Sequence, residues 1–131
     1  MVDLYELKLA ERRRFVKLFL ESLIHLTREL WRPTLVILDE AHIYCPERGS
    51  GEAESTEAVI SLMSQGRKRG YAGIIATQGL SKLHKDAAAE ANNVIIGRTW
   101  LAADQARAGD ARDFALSVAS PNRCLMEHQG R

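Results

Sequence analysis

The feature that most constrains this chain is the run Thr34-Leu35-Val36-Ile37-Leu38, which is immediately followed by Asp39 and Glu40. Five residues rich in branched apolar side chains, without polar alternation, predict a short strand covered on both faces. Two adjacent carboxylates at its end are costly to place together unless a cation or a reaction justifies them. Two further runs of the same character follow, at residues 73–77 (Gly-Ile-Ile-Ala-Thr) and 93–97 (Asn-Val-Ile-Ile-Gly). The stretch 53–69 lies between the first two, with Ala58, Val59, Leu62, Met63 and Gly66 on one helical face. A shorter helix at 86–91 fits between the next two. Strand, helix, strand, helix, strand predicts an α/β fold: a parallel sheet with helical crossovers.

Upstream, residues 4–31 read as one long amphipathic helix, starting as late as Ala10, after a stub of strand at 1–4. Phe15, Phe19, Leu23, Leu26 and Leu30 recur at helical steps, with Val16, Leu20 and Ile24 widening the stripe. Glu11, Arg12, Arg13, Lys17, Glu21 and Arg28 supply the wet face, and Pro33 ends the helix. The glycine-bearing, charged stretch 46–52 is expected to be an exposed loop. Residues 102–116 read as an interrupted helix and 124–126 as a last strand.

In an open parallel sheet, ligands sit outside the carboxyl ends of the strands, so Asp39 and Glu40 are expected to face a ligand crevice. A magnesium ion would give the pair its reason, with Asp39 holding the ion and Glu40 orienting and polarising a water. The plainer alternative is a solvated acidic pair that ends a strand.

Residues 34–42, the Gly66-Arg67-Lys68-Arg69-Gly70 turn and the strand ending Ile74-Ile75-Ala76-Thr77-Gln78 together resemble HerA/FtsK-like ATPases. These are a branch of the RecA-like P-loop motors that move DNA. Val2-Asp3-Leu4 and the helix from Glu11-Arg12-Arg13-Arg14-Phe15 are similar to the elements preceding the acidic strand in HerA-type members. The resemblance spans residues 2 to about 99 and implies a partial RecA-like P-loop NTPase core. It implies ATP and Mg2+ as cofactors, DNA as partner and a hexameric ring for the complete protein; independently of it, no run of apolar residues approaches a membrane span, so no membrane is expected as a partner. Within it, Asp39 and Glu40 take the Walker B roles, Gln78 is the polar sensor of the terminal phosphate, and Arg67 is the arginine finger acting on a neighbouring subunit. Arg69 and Arg98 are the other candidates for the finger. Asp39-Glu40-Ala41-His42 also spells the signature of DEAH-box helicases, but Ile75-Ala76-Thr77-Gln78 stands where those proteins carry a Ser-Ala-Thr type motif.

A P-loop needs glycine-rich backbone and a Gly-Lys pair, and this chain contains no such pair. The sequence therefore resembles the C-terminal part of an ATPase domain, from Walker B to sensor, without Walker A. A chain of this kind is expected neither to bind nor to hydrolyse ATP appreciably by itself. A non-catalytic interaction or regulatory module that keeps the fold is the alternative.

Composition narrows the remaining classes. The 131 residues are 46% hydrophobic, enough for one core, and 18 basic against 17 acidic residues leave a formal charge of +1. No general pull toward nucleic acid or membrane follows from that balance, and the clusters Arg12, Arg13, Arg14 and Arg67, Lys68, Arg69 are as readily solvated helix faces as DNA contacts. The first nine residues lack the layout of a secretory signal, which predicts a cytoplasmic protein. Cys45 and Cys124 are too few for a disulfide framework. With His42 and His128 they have the spacing of two half zinc sites, a third possibility.

Overall fold

The computed structural model describes residues 2–49, 51, 53–97 and 101–109. It has a mixed α/β architecture: helix α1 (Leu9–Ile24), strand β1 (Thr34–Leu38), helix α2 (Thr56–Gln65), strand β2 (Tyr71–Ile75) and helix α3 (Lys85–Ala89). A further helical segment occupies residues 102–109.

Strand β1 forms where its apolar run predicts, and β2 pairs with it in parallel, in the register Thr34↔Tyr71 to Leu38↔Ile75. β2 starts two residues earlier than its apolar run suggests. Gly70, at φ 82°, closes the 3-10 turn Gly66–Arg69 in the left-handed region and turns the chain into the strand at once. Just past the other end, the Thr77 hydroxyl accepts the Gly79 N–H at 3.1 Å. Gly73 lets α2 sit close on β2, since a Cβ there would lie 2.6 Å from Met63 Sδ.

α1 and α2 cover one face of this strand pair. Val16, Leu20 and Ile24, three residues at four-residue spacing, enter the core with Val36, Val59, Leu62 and Tyr71. The buried stripe of α1 is thus the set expected only to widen it. Phe15 and Phe19 stack on each other at 6.2 Å and stay 39% and 47% exposed.

Several expectations are corrected. The long helix over 4–31 is a 16-residue helix followed by a separate 3-10 turn, Arg28–Leu30. Thr27 is extended, as suits a residue type that favours helix starts over interiors. The Trp31 indole N–H also donates back to the Leu26 carbonyl at 2.9 Å, fixing the turn. The strand stub does not form over residues 2–4, because the Asp3 carboxylate accepts the Tyr5 N–H at 2.9 Å and bends the chain into a turn. α1 begins instead at Leu9, where Glu11 accepts the Lys8 N–H at 2.8 Å, one half of a capping box.

The strand expected at 93–97 is absent, and the sheet among the described residues has two strands. Ile95 is 99% exposed, so its apolar run finds no face to cover. The opposite face of the strand pair is likewise uncovered among the described residues, with Leu35, Ile37 and Ile74 all exposed. The crossover helix expected over 53–69 is α2 plus the 3-10 turn, and the next helix runs Lys85–Ala89 rather than 86–91. The expected strand at 124–126 and the end of the helix at 102–116 lie outside the described residues. No helix among the described residues is long and apolar enough to cross a membrane.

Candidate functional site

Because β1 and β2 run parallel and in register, the residues after Leu38 and after Ile75 leave the sheet at the same end. The ladder continues one step beyond the strands: the Ala76 N–H donates to the Leu38 carbonyl at 2.9 Å and the Ala41 N–H to the Ala76 carbonyl at 2.8 Å. Asp39 and Glu40 are therefore held beside Thr77 and Gln78.

Glu40 is the only non-glycine residue with positive φ among those described, at φ 49°, ψ 46°. An L-residue in this left-handed region carries strain of about 1 kcal/mol or more, kept only where surrounding bonds require it. Those bonds are present. Asp39 Oδ1 accepts the Glu40 N–H at 2.9 Å, and the turn Ala41–Ile43 starts at once, with the Ile43 N–H donating to the Glu40 carbonyl at 2.8 Å. The kink turns the half-buried Glu40 carboxylate toward the neighbouring strand tip. There its Oε2 accepts the Gln78 N–H in a long contact of 3.4 Å and lies 3.3 Å from His42 Nδ1.

His42 Nδ1 also lies 2.9 Å from the Thr77 hydroxyl oxygen. A proton on Nδ1 suits both neighbours, because a bare ring nitrogen facing the Glu40 carboxylate would set two acceptors against each other. His42 thus joins the two strand tips through Glu40 on one and Thr77 on the other. Asp39 is exposed, as is the Gln78 side chain.

The structure brings Asp39, Glu40 and Gln78 together and leaves Arg67 apart. Arg67 is exposed in the turn before β2, at the opposite end of that strand. Five residues at roughly 3.3 Å each separate it from the carboxylates by about 16 Å. Arg69 stacks over the Trp31 ring at 5.8 Å and donates to the Gln65 carbonyl at 3.3 Å, which is a packing role. Arg98 lies outside the described residues.

Of the four residues of the zinc possibility, His42 and Cys45 lie among those described. Cys45 is fully buried, and burial first, then the carboxylates of Asp86 and Glu47, push its thiol up to about 12. No group of three His, Cys, Asp or Glu side chains among the described residues is placed to hold a metal. Cys124 and His128 lie outside them.

A second polar cluster had no signal in the sequence. The chain after His42 pairs with the turn Leu80–Lys82: the Glu47 N–H donates to the Lys82 carbonyl at 2.7 Å and the His84 N–H to the Cys45 carbonyl at 2.9 Å. The Glu47 carboxylate accepts from the Arg48 N–H at 3.2 Å, the Lys85 N–H at 3.1 Å and the Arg107 guanidinium. Burial works against its charge, but these donors outweigh burial and hold its carboxyl below the ordinary value. The buried Asp104 carboxylate accepts the Ser81 N–H at 2.7 Å, and Ser81 holds its carboxyl low as well. Asp104 and Arg107 tie the segment 102–109 to the loops behind the strand tips.

Compared with known proteins, the chain matches no family model. No curated protein matches it either.

Proposed function

We propose that this chain is the Walker B and sensor half of a HerA/FtsK-like ATPase with a RecA-like core, a motor that hydrolyses ATP to move DNA. The observation that carries the reading is the meeting of the Glu40 carboxylate with the Gln78 N–H at adjacent parallel strand tips, 38 residues apart in sequence.

The donor set suits magnesium. That ion keeps several waters and takes one or two carboxylates, and Asp39 is an exposed carboxylate beside a second acidic residue. Asp39 would hold it, and the bound ion would neutralise phosphate charge. Both contacts of Glu40 fall on Oε2, which leaves Oε1 to accept a proton from water. His42 and Thr77 fix the direction of that carboxylate. Gln78, with donor and acceptor on one amide, would report the terminal phosphate. Arg67 is too far from Glu40 of its own chain to serve it, so its role as a finger requires a head-to-tail assembly such as a hexameric ring.

The alternative is a non-catalytic module that keeps the fold and associates with a complete ATPase. One experiment separates the two. ATP turnover is measured with the chain alone and after it is combined with a polypeptide that carries the phosphate-binding loop. The motor reading expects no turnover alone, and combined turnover that Glu40→Gln lowers by about a hundredfold or more. Combined turnover indifferent to Glu40→Gln supports the module. Magnesium-dependent turnover by the chain alone, abolished by Glu40→Gln, overturns the expected need for a separate loop.

A further inference from the structure

Helix α1 carries two apolar stripes, and the fold of one chain uses only the first. Val16, Leu20 and Ile24 enter the core, while Phe15, Leu18 and Phe19 stay 39%, 52% and 47% exposed, uncovered among the described residues. At about 100° per residue, Phe15, Leu18, Phe19 and Ser22 fall within about 100° of one another on the outward side of the helix. Phe15 and Phe19 hold their rings parallel, 5° apart. The Ser22 hydroxyl donates to the Leu18 carbonyl at 2.7 Å, so it is satisfied within the helix and leaves a shallow place in the stripe. A helix that is apolar on opposite sides is one that packs on both.

The charges beside the stripe indicate what covers it. Arg12 donates to the Leu7 and Tyr5 carbonyls, Arg13 to the Ile43 carbonyl, and Lys17 pairs with Glu54 at 3.8 Å. Arg14 is exposed and Glu21 half-buried, and neither side chain has an ion-pair partner among the described residues. Seven residues apart, they lie within about 20° of each other on one flank of the stripe, about 10 Å apart along the axis. A membrane or a nucleic acid would be met by several free cations and no carboxylate. One free cation and one free carboxylate on the same flank instead complement a second copy of the same helix.

We propose that α1 pairs with α1 of a second copy of this chain, antiparallel, about a twofold axis between residues 18 and 19. That register sets Phe15 over Ser22 of the second copy, large on small, and Leu18 against its Phe19. A twofold axis lays like flank beside like flank, so Arg14 meets Glu21 of the second copy, offset by about 3 Å along the axis, and the pair occurs twice. One helix pair buries less than the roughly 1,200 Å2 of a standard interface, so the dimer is weak and concentration-dependent. The contact is isologous, unlike the head-to-tail assembly that an arginine finger requires, and it stands or falls independently of ATP hydrolysis.

The test is sedimentation equilibrium of the chain from about 10 μM to 1 mM, with circular dichroism to show that each variant is folded. The weight-average mass of the native chain is expected to rise with concentration from one chain toward two. Leu18→Glu, at an exposed position, should hold it at one chain throughout. Arg14→Glu and Glu21→Arg should each weaken association about tenfold by setting like charges together, and the two exchanges combined should restore it. A native mass of one chain across the whole range overturns the proposal. So does association that Leu18→Glu leaves intact, which places the contact elsewhere, or that the combined exchange fails to restore. Binding of the single chain to anionic lipid vesicles, lost in Leu18→Glu, would give the stripe to a membrane and equally overturn it.

Discussion

Glu40 carries the account at the scale of single residues. Its left-handed backbone is the one such strain on a side-chain-bearing residue among the described residues, and it falls on the residue proposed to polarise a water. Replacing it separates backbone from side chain. Glu40→Ala and Glu40→Gly lose the same carboxylate contacts, but only glycine relieves the left-handed strain. The glycine variant should be more stable than the alanine variant by about 1 kcal/mol in urea denaturation. Equal stability would mean that the kink is not fixed in solution.

Asp104 and Glu47 make a second prediction at this scale. Both carboxyls are held below their ordinary values in the folded chain, Asp104 by Ser81, and Glu47 by Arg48, Arg107 and Lys85 against the opposing effect of burial. A carboxyl with a lowered folded value contributes stability above its ordinary value, 3.8 for Asp104 and 4.5 for Glu47, and loses it as pH falls through the folded value. Unfolding midpoints should therefore fall as pH drops below about 4.5, and Asp104→Asn should flatten the part of that fall below about 4. An unchanged acid limb in Asp104→Asn would show that the residue is not engaged. The strand-tip placement of Asp39 and Glu40 was legible in the sequence because they end an apolar run, whereas Gln78 was singled out by the resemblance. The partnership of His42 with Thr77 was not, because a hydrogen bond between residues 35 apart leaves no local pattern.

At the scale of elements, the two faces of the strand pair differ sharply. Val36 is 8% exposed and Ile37, its neighbour, is 61% exposed. Ile37→Ala should change stability by no more than about 0.5 kcal/mol. Leu20→Ala, which empties a fully buried site on α1, should cost about 2–5 kcal/mol. Chemical denaturation of the two variants checks the contrast, and a similar cost at both sites would mean that the outer face is covered in solution. Strand β1 was readable to the residue because Pro33 and the carboxylates bracket it. The end of α1 was not, since the apolar period runs on to Leu30 while burial stops at Ile24. The same gap between pattern and burial explains the missing third strand: an apolar run predicts a strand only if a neighbour is present to pair with it.

At the scale of the whole molecule, β1, α2 and β2 form one βαβ unit with α1 packed beside α2, and the segment 102–109 ties down the loops that follow the strands. That tie was invisible in the sequence, because Glu47 and Arg107 meet only through the tertiary fold. Arg107→Ala should speed amide exchange in residues 102–109 while leaving β1 and β2 protected, since the strands and the helices that cover them do not depend on it. Uniform loss of protection would contradict that independence. The α/β class and the parallel pairing of the first two strands were predictable from alternating helical and apolar runs. The extent of the sheet was not, because edges are set by long-range contacts.

If the two strand tips form one divalent-cation pocket, paramagnetic Mn2+ will bind there and report it. Substoichiometric Mn2+ should broaden the amide signals of Asp39, Glu40 and Gln78 first, and Asp39→Asn should abolish the effect. Broadening centred elsewhere, or unchanged in Asp39→Asn, would contradict it.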